Sequence, residues 1–403
     1  MSFDEKFDLP FAEPEAVGIS SERLLRIAPV MQSYVDNGLI PGAVTMVARH
    51  GKVVHFDSLG YLDPDAKNPM EKDSLFRIAS MTKPIVSLAL MMLYEEGKFQ
   101  LNDPLAKFLP DFSAMQVNVD DGQGGRKKVS AKRQINIRHV LTHTAGFPYE
   151  LGDKECKEYI DIARPLDRSG VLGDFVARLA KVPLNNEPGK VWEYSRATCI
   201  VGHLIEVISG QNLKDFLQAR IFDPLGMTDS HFFLPMEKQS RFAASYKPDE
   251  NKKITVEDTN TEKSFFLNQS SEFYIGSGGL VSTAADYFKF AELLRQGGQL
   301  GSTRLISRTT LALMLQNHTG NKNITLMGPG YGFGLGFSVL VDPAAAHTIV
   351  GKGTYSWGGM YCTHWWNDPV EQLFGMVLTQ VRPFDHISIR ADMQVLASQA
   401  IID

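Results

Sequence analysis

Two short strand-like runs near the start of the chain, residues 43–48 and 53–58, constrain its fold more than any other feature. They flank His50-Gly51 and predict a β-hairpin. A two-stranded hairpin is marginal alone in water, so these strands need partners. Further strand patterns lie only near the far end, at residues 332–341, 359–366 and 374–379, followed by a closing helix over 391–402. The economical solution is an α+β fold with one antiparallel sheet built from both termini and flanked by helices. The middle of the chain then forms a mostly helical lobe, with helices expected at 80–97, 137–144, 169–179, 198–209, 213–221, 283–296 and 307–316. This division gives a sheet lobe of residues 1–75 with 325–403, a helical lobe of 76–324, and an active site at their interface. At the N-terminal end, Ser20 and Ser21 before Glu22 start a helix that carries Leu24, Leu25, Ile27, Met31 and Tyr34 on one face, and Gly38 stops it.

The 403 residues are 43% hydrophobic and 22% charged, enough apolar mass for one large domain or two co-folded lobes. A net charge of −5 gives no reason to expect nucleic acid or an anionic membrane as a partner. The run Arg126-Lys127-Lys128 lies in a Gly/Asp-rich stretch and reads as a solvated loop. Residues 1–8 lack the basic and apolar regions of a signal peptide, and no segment is long enough to span a bilayer, so the cytoplasm is the expected compartment. Cys156, Cys199 and Cys362 are odd in number and widely spaced, which reads as three thiols without metal-type pairing.

Chemistry concentrates in Ser80-Met81-Thr82-Lys83. In a helix, side chains three residues apart share a face, so the Lys83 amine reaches the Ser80 hydroxyl and no histidine is needed. Phe76-Arg77-Ile78-Ala79 leads into the turn, and Pro84 falls in the first helical turn, where a missing N–H costs little. Ser80 therefore stands at a helix N-terminus, where free amides and the dipole favour negative charge. The plain alternative is a capping serine with an exposed lysine. A second cluster, Pro188-Gly189-Lys190-Val191-Trp192-Glu193-Tyr194-Ser195-Arg196, delivers an aromatic run into a loop before a helix. A third, Tyr355-Ser356-Trp357-Gly358-Gly359-Met360, pairs glycines that allow close backbone or ligand approach.

Together these clusters resemble the serine hydrolases that include class C β-lactamases, DD-peptidases and family VIII carboxylesterases. The resemblance extends to residues 137–146, 204–210, 224–227 and 276–286. It implies that Ser80 is the nucleophile, Lys83 the motif lysine and Tyr194 the motif tyrosine. Trp357-Gly358-Gly359 stands where β-lactamases carry K-T-G, and the backbone N–H groups of Ser80 and Met360 form the oxyanion hole. Two departures bear on substrate: Trp357 replaces a carboxylate-binding lysine, and Arg196 stands at an asparagine position. The W-G-G triplet resembles the esterases, which favour neutral esters, while Arg196 is placed to restore carboxylate binding from the other side. Tyr149, Phe147 and Trp357 would wall an aromatic acyl pocket.

The expectation is a serine carboxylesterase acting on short-chain, small-molecule esters through a Ser80 acyl-enzyme, with Lys83 and Tyr194 relaying the proton and no cofactor or metal. β-Lactamase, D-alanyl peptidase and acyltransferase activities are the alternatives, and a binding protein without activity comes behind them; the oligomeric state is left open. His139 and His143 stand at i, i+4 without an acidic third ligand. Gly276-Ser277-Gly278-Gly279 lacks the Lys-Ser/Thr of a phosphate loop, and no serine lies in a G-x-S-x-G frame.

Overall fold

The computed structural model describes residues 2–4, 6–150, 157–259 and 264–403. Ten strands make one sheet: β1 (Ser2–Asp4), β2 (Leu9–Phe11), β3 (Gly42–Arg49), β4 (Lys52–Asp63), β5 (Asn68–Pro69), β6 (Tyr331–Phe333), β7 (Ser338–Leu340), β8 (Tyr355–Gly358), β9 (His364–Asp368) and β10 (Leu373–Leu378). Their order is β1-β2-β4-β3-β10-β9-β8-β7-β6, with β5 on β4. The two ends of the chain meet where β10 runs antiparallel to β3, pairing Gly375 with Val47 and Val377 with Thr45. The β3–β4 turn has His50 at φ 52° and Gly51 at φ 75°, the left-handed pair that a tight two-residue hairpin requires.

Three expectations for the sheet change. The sheet is not wholly antiparallel, because β2 lies parallel to β4 at Phe11 and Val53. Residues 332–341 form a hairpin, β6 and β7, bent at Gly334 and Gly336; a side chain at either glycine would collide with the helical lobe. Residues 359–363 form the turn between β8 and β9, closed by Gly359 N–H donating to the Thr363 carbonyl at 2.8 Å.

Alternate residues of the central strands feed two cores, as the strand period demands. On one face Ala43, Val47, Leu373 and Val377 pack with helices α1 (Ile27–Asp36) and α5 (Ile389–Ser398). On the other, Val44, Met46, Phe374 and Met376 join a larger core with α2 (Thr82–Glu95), α3 (Ala197–Ser209) and α4 (Ala284–Arg295). The α2 helix is buried continuously from Thr82 to Leu93. The first helix is broken into Ser21–Leu24 and α1, and Leu25 is 72% exposed rather than on the buried face. Pro29 explains the break: its ring would clash with the Leu25 carbonyl of a continuous helix.

The middle of the chain also contains ribbons. Arg126-Lys127-Lys128 belongs to an exposed strand, Arg126–Ser130, paired with Gln116–Asp120, and is not a loop. Cys199 and Cys362 are buried free thiols, whereas Cys156 lies outside the described residues. Among the described residues no helix is long and apolar enough to cross a membrane.

Candidate active site

Ser80 lies in a 3-10 turn, Ala79–Met81, that runs directly into α2. Ala79 is held at φ 44°, a left-handed conformation that costs energy for a residue with a Cβ and persists only where surroundings impose it. Those surroundings are explicit. Ile78 N–H donates to the Leu280 carbonyl at 3.1 Å, Leu280 N–H donates to Thr82 Oγ1 at 3.2 Å, and the Tyr287 hydroxyl donates to the Met81 carbonyl at 2.9 Å. The turn is pinned on both flanks of the serine.

Lys83 and Tyr194 converge on it. Lys83 Nζ donates to Ser80 Oγ at 3.0 Å and to the Ser277 carbonyl at 2.6 Å. The Tyr194 hydroxyl donates to Ser80 Oγ at 2.6 Å, and Lys83 Nζ stands 4.6 Å from the Tyr194 ring centre. Lys83 is only 3% exposed, and among the described residues no carboxylate pairs with it. Its neighbours are a hydroxyl, a carbonyl and a π face, each able to accept from an amine.

The Tyr194 loop is shaped by the His139–His143 segment. Gly189 N–H donates to the Thr144 carbonyl at 2.7 Å and Glu193 N–H to the His143 carbonyl at 2.8 Å. His139 caps its own helix, taking the Asn136 N–H on Nδ1 at 3.2 Å. The His143 ring lies 4.9 Å from the Tyr194 ring and 5.4 Å from Phe333. Burial first, and then the Lys83 charge, push the His143 imidazole well below its ordinary pKa, so this ring is neutral. His143 thus packs against Tyr194 directly, while His139 fixes the start of the helix that leads to His143.

The third cluster closes the other side. Trp357, 4% exposed, lies in β8 with its ring 5.6 Å from Tyr194 and 5.3 Å from Phe333. Gly358 and Gly359 carry the chain past the nucleophile turn. A side chain at Gly359 would collide with the Ile78 carbonyl, and Thr363 Oγ1 donates to that same carbonyl at 3.3 Å. Arg390, from α5, donates to the Thr363 carbonyl at 2.9 Å and also to the Gly359 carbonyl. That carbonyl belongs to the peptide whose N–H is carried by Met360.

Of the residues expected to line the site, Tyr149 lies with its ring 5.1 Å from Tyr194, and burial raises its phenol pKa. Phe147 does not line a pocket: it is fully buried against Phe112 in the main core, 6.0 Å between ring centres. Arg196 is not available for a substrate carboxylate, because Nε donates to Glu150 Oε1 at 2.7 Å and a second guanidinium nitrogen bonds the same oxygen. The other Glu150 oxygen accepts from the Tyr159 hydroxyl at 3.1 Å. Glu150, Ser277 and Arg390 are the partners that sequence reasoning missed. The glycines around Ser277 were the available signal, since Gly276 brings that loop within Cβ reach, 2.8 Å, of the Thr198 carbonyl.

The family model described as Beta-lactamase matches residues 27–398, the span that contains Ser80, Lys83, Tyr194 and the Trp357–Met360 turn. This chain belongs to the beta-lactamase family. Protein Rv1367c of Mycobacterium tuberculosis is 34% identical over 373 residues, covering 88% of this chain and 89% of its own length. Esterase EstB of Burkholderia gladioli is 31% identical over 384 residues, 91% of this chain and 93% of its own. The solved structure of EstCE1, a hydrolase with promiscuous acyltransferase activity, superposes with a TM-score of 0.79 at 30% identity, over 95% of this chain and 99% of its own.

Proposed function

We propose that this serine carboxylesterase-type hydrolase of the beta-lactamase family cleaves small, short-chain carboxylic esters through an acyl-enzyme on Ser80. The observation that carries the reading is the double contact at Ser80 Oγ, with Lys83 Nζ at 3.0 Å and the Tyr194 hydroxyl at 2.6 Å. A serine hydroxyl is a weak nucleophile until a neighbouring base takes its proton. The pair enters the cycle one proton short of an ammonium plus a phenol, so that as Ser80 Oγ attacks the ester carbonyl its proton passes into that open position of the Lys83–Tyr194 pair. The tetrahedral oxyanion is held by the backbone N–H groups of Ser80 and Met360. One such donor is typically worth ~3 kcal/mol, on the order of 10²–10³ in rate. Arg390 fixes the Gly359–Met360 peptide plane through its carbonyl and so aims the second donor.

Collapse of the intermediate expels the alcohol, which takes the stored proton; the pair then deprotonates a water that attacks the acyl carbonyl and frees Ser80. The two groups exchange one proton and act as a unit. Trp357, Gly358, Gly359 and Tyr149 border the reacting carbonyl at the junction of the sheet lobe and the helical lobe. Trp357 in place of a lysine, and Arg196 already bound to Glu150, weigh against the β-lactamase and D-peptidase alternatives. Acyl transfer to an alcohol is a second reading, favoured by the likeness to EstCE1, and it needs only an alcohol in place of the deacylating water. Both readings predict a burst of nitrophenol from p-nitrophenyl acetate that Ser80→Ala abolishes. A burst retained in that variant, or faster turnover of a chromogenic cephalosporin than of any p-nitrophenyl ester, would overturn the reading.

A further inference from the structure

Beside Met360 the structure contains a cavity of about 430 Å³. Tyr361 forms part of its wall, and Arg382, also in the wall, places a guanidinium nitrogen 3.9 Å from Met360 Sδ. Through Arg382 the wall of this cavity touches Met360, the residue proposed to carry the second oxyanion donor. Phe265 and Phe266 give it an apolar surface, and four charged groups in the wall, Arg168, Glu257, Asp258 and Arg382, define its polarity.

The acids of this wall are committed to partners. Glu257 accepts two bonds from Arg382, at 2.7 and 2.8 Å. Asp258 accepts from Arg77 at 2.8 Å and from the Ser264 hydroxyl at 2.8 Å. Arg168 differs: its guanidinium lies over the Phe265 ring at 4.1 Å, and among the described residues it has no hydrogen-bond or ion-pair partner. It is half-buried, and burial first, with Arg196 and Arg382 adding repulsion, lowers its pKa. A half-buried cation among other cations, facing a cavity, is an unsatisfied demand for an anion. The planar fork of arginine matches a carboxylate, which it binds through two parallel N–H bonds.

We propose that this cavity binds the carboxylate at the end of an acidic arm of the substrate, with Arg168 as its main partner. The inference rests on the ester-hydrolase reading and names the substrate class: esters neutral at the reacting carbonyl, beside Trp357, and anionic at the far end of the arm. The aromatic surface accommodates the arm's methylenes or ring. Arg168 thereby takes the role the sequence suggested for Arg196.

Two matched pairs test this in the intact enzyme. For an acyl arm, 4-nitrophenyl hydrogen adipate is compared with its methyl ester; for an alcohol arm, 4-acetoxybenzoate is compared with methyl 4-acetoxybenzoate. In at least one pair the acid has kcat/KM about 10- to 100-fold above its methyl ester, the gain expected of a hydrogen bond to a charged group. The ratio falls as salt rises. In Arg168→Gln it drops to near unity, and in Arg168→Lys, which keeps the charge without the fork, it lies between. Wild-type acids no better than their methyl esters in both pairs, or a preference that survives in either variant at full size, overturn the proposal. Turnover of the methyl esters with an acylation burst leaves the hydrolase reading standing in that case; failure to turn over any of the four compounds counts against that reading instead.

Discussion

Lys83, buried, and Arg196, half-buried, are basic side chains near the Tyr194 loop, and the structure treats them in opposite ways. Arg196 is matched to Glu150 through two bonds to one carboxylate oxygen, with the second oxygen held by Tyr159. Lys83 has two uncharged acceptors and an aromatic face, and no acid among the described residues. A cation with its counter-ion in place is finished chemically and contributes to the fold. A cation without one costs stability and stays available for proton transfer. The difference assigns structure to one residue and chemistry to the other.

Several substitutions would break or sharpen that contrast. Lys83→Met should lower ester turnover by about 10³-fold or more, as expected when an activating base is lost, while leaving the melting temperature unchanged or raised. A destabilised Met variant would show that Lys83, like Arg196, belongs to the scaffold. Glu150→Gln should do the reverse, costing about 3–5 kcal/mol of stability because it strands a buried guanidinium. Denaturant midpoints measure it, and a loss under about 1 kcal/mol would mean that water already screens the pair. Tyr194→Phe keeps the ring against His143 and Trp357 and removes only the hydroxyl. It should reduce turnover on the order of 10²-fold, and an unchanged rate would reduce Tyr194 to packing.

The smallest effect concerns pH. Burial pushes His55, His139 and His231 down to about 4 and His364 to about 3. The unfolded chain takes up those protons near pH 6.5, so below it the unfolded state binds more protons than the folded one and stability falls with pH. Asp286, raised to about 6 chiefly by burial, works in the opposite direction but is one group against these four and His143, which burial also lowers. Thermal scans should therefore show lower stability at about pH 5 than at about pH 7; a flat profile would mean that these rings admit protons without unfolding.

Much of this was legible in the sequence, and the limits are instructive. The joining of both termini in one sheet followed from a hairpin without local partners, and β3 pairing with β10 is that solution. The Ser80 turn was legible because spacing of three and a proline in the first turn are local rules. Strand ends near Gly334 and Gly359 were not, because each is set by a backbone approaching from another part of the chain. Phe147 and Arg196 were misjudged for the same reason: an aromatic near glycines and an arginine near the motif tyrosine have no local signal for what they will touch.

Sequence alone determined the elements whose causes lie within a few residues, the hairpin turn and the helix that carries Ser80 and Lys83; the grouping of Tyr194 with the Trp357 cluster was what the family resemblance implied. Tertiary structure alone decided which cations were neutralised, since Glu150 reaches Arg196 and nothing acidic among the described residues reaches Lys83 or Arg168. Charge pairing depends on distances between segments that the chain brings together only on folding, and Coulomb and desolvation energies depend on those distances and on burial.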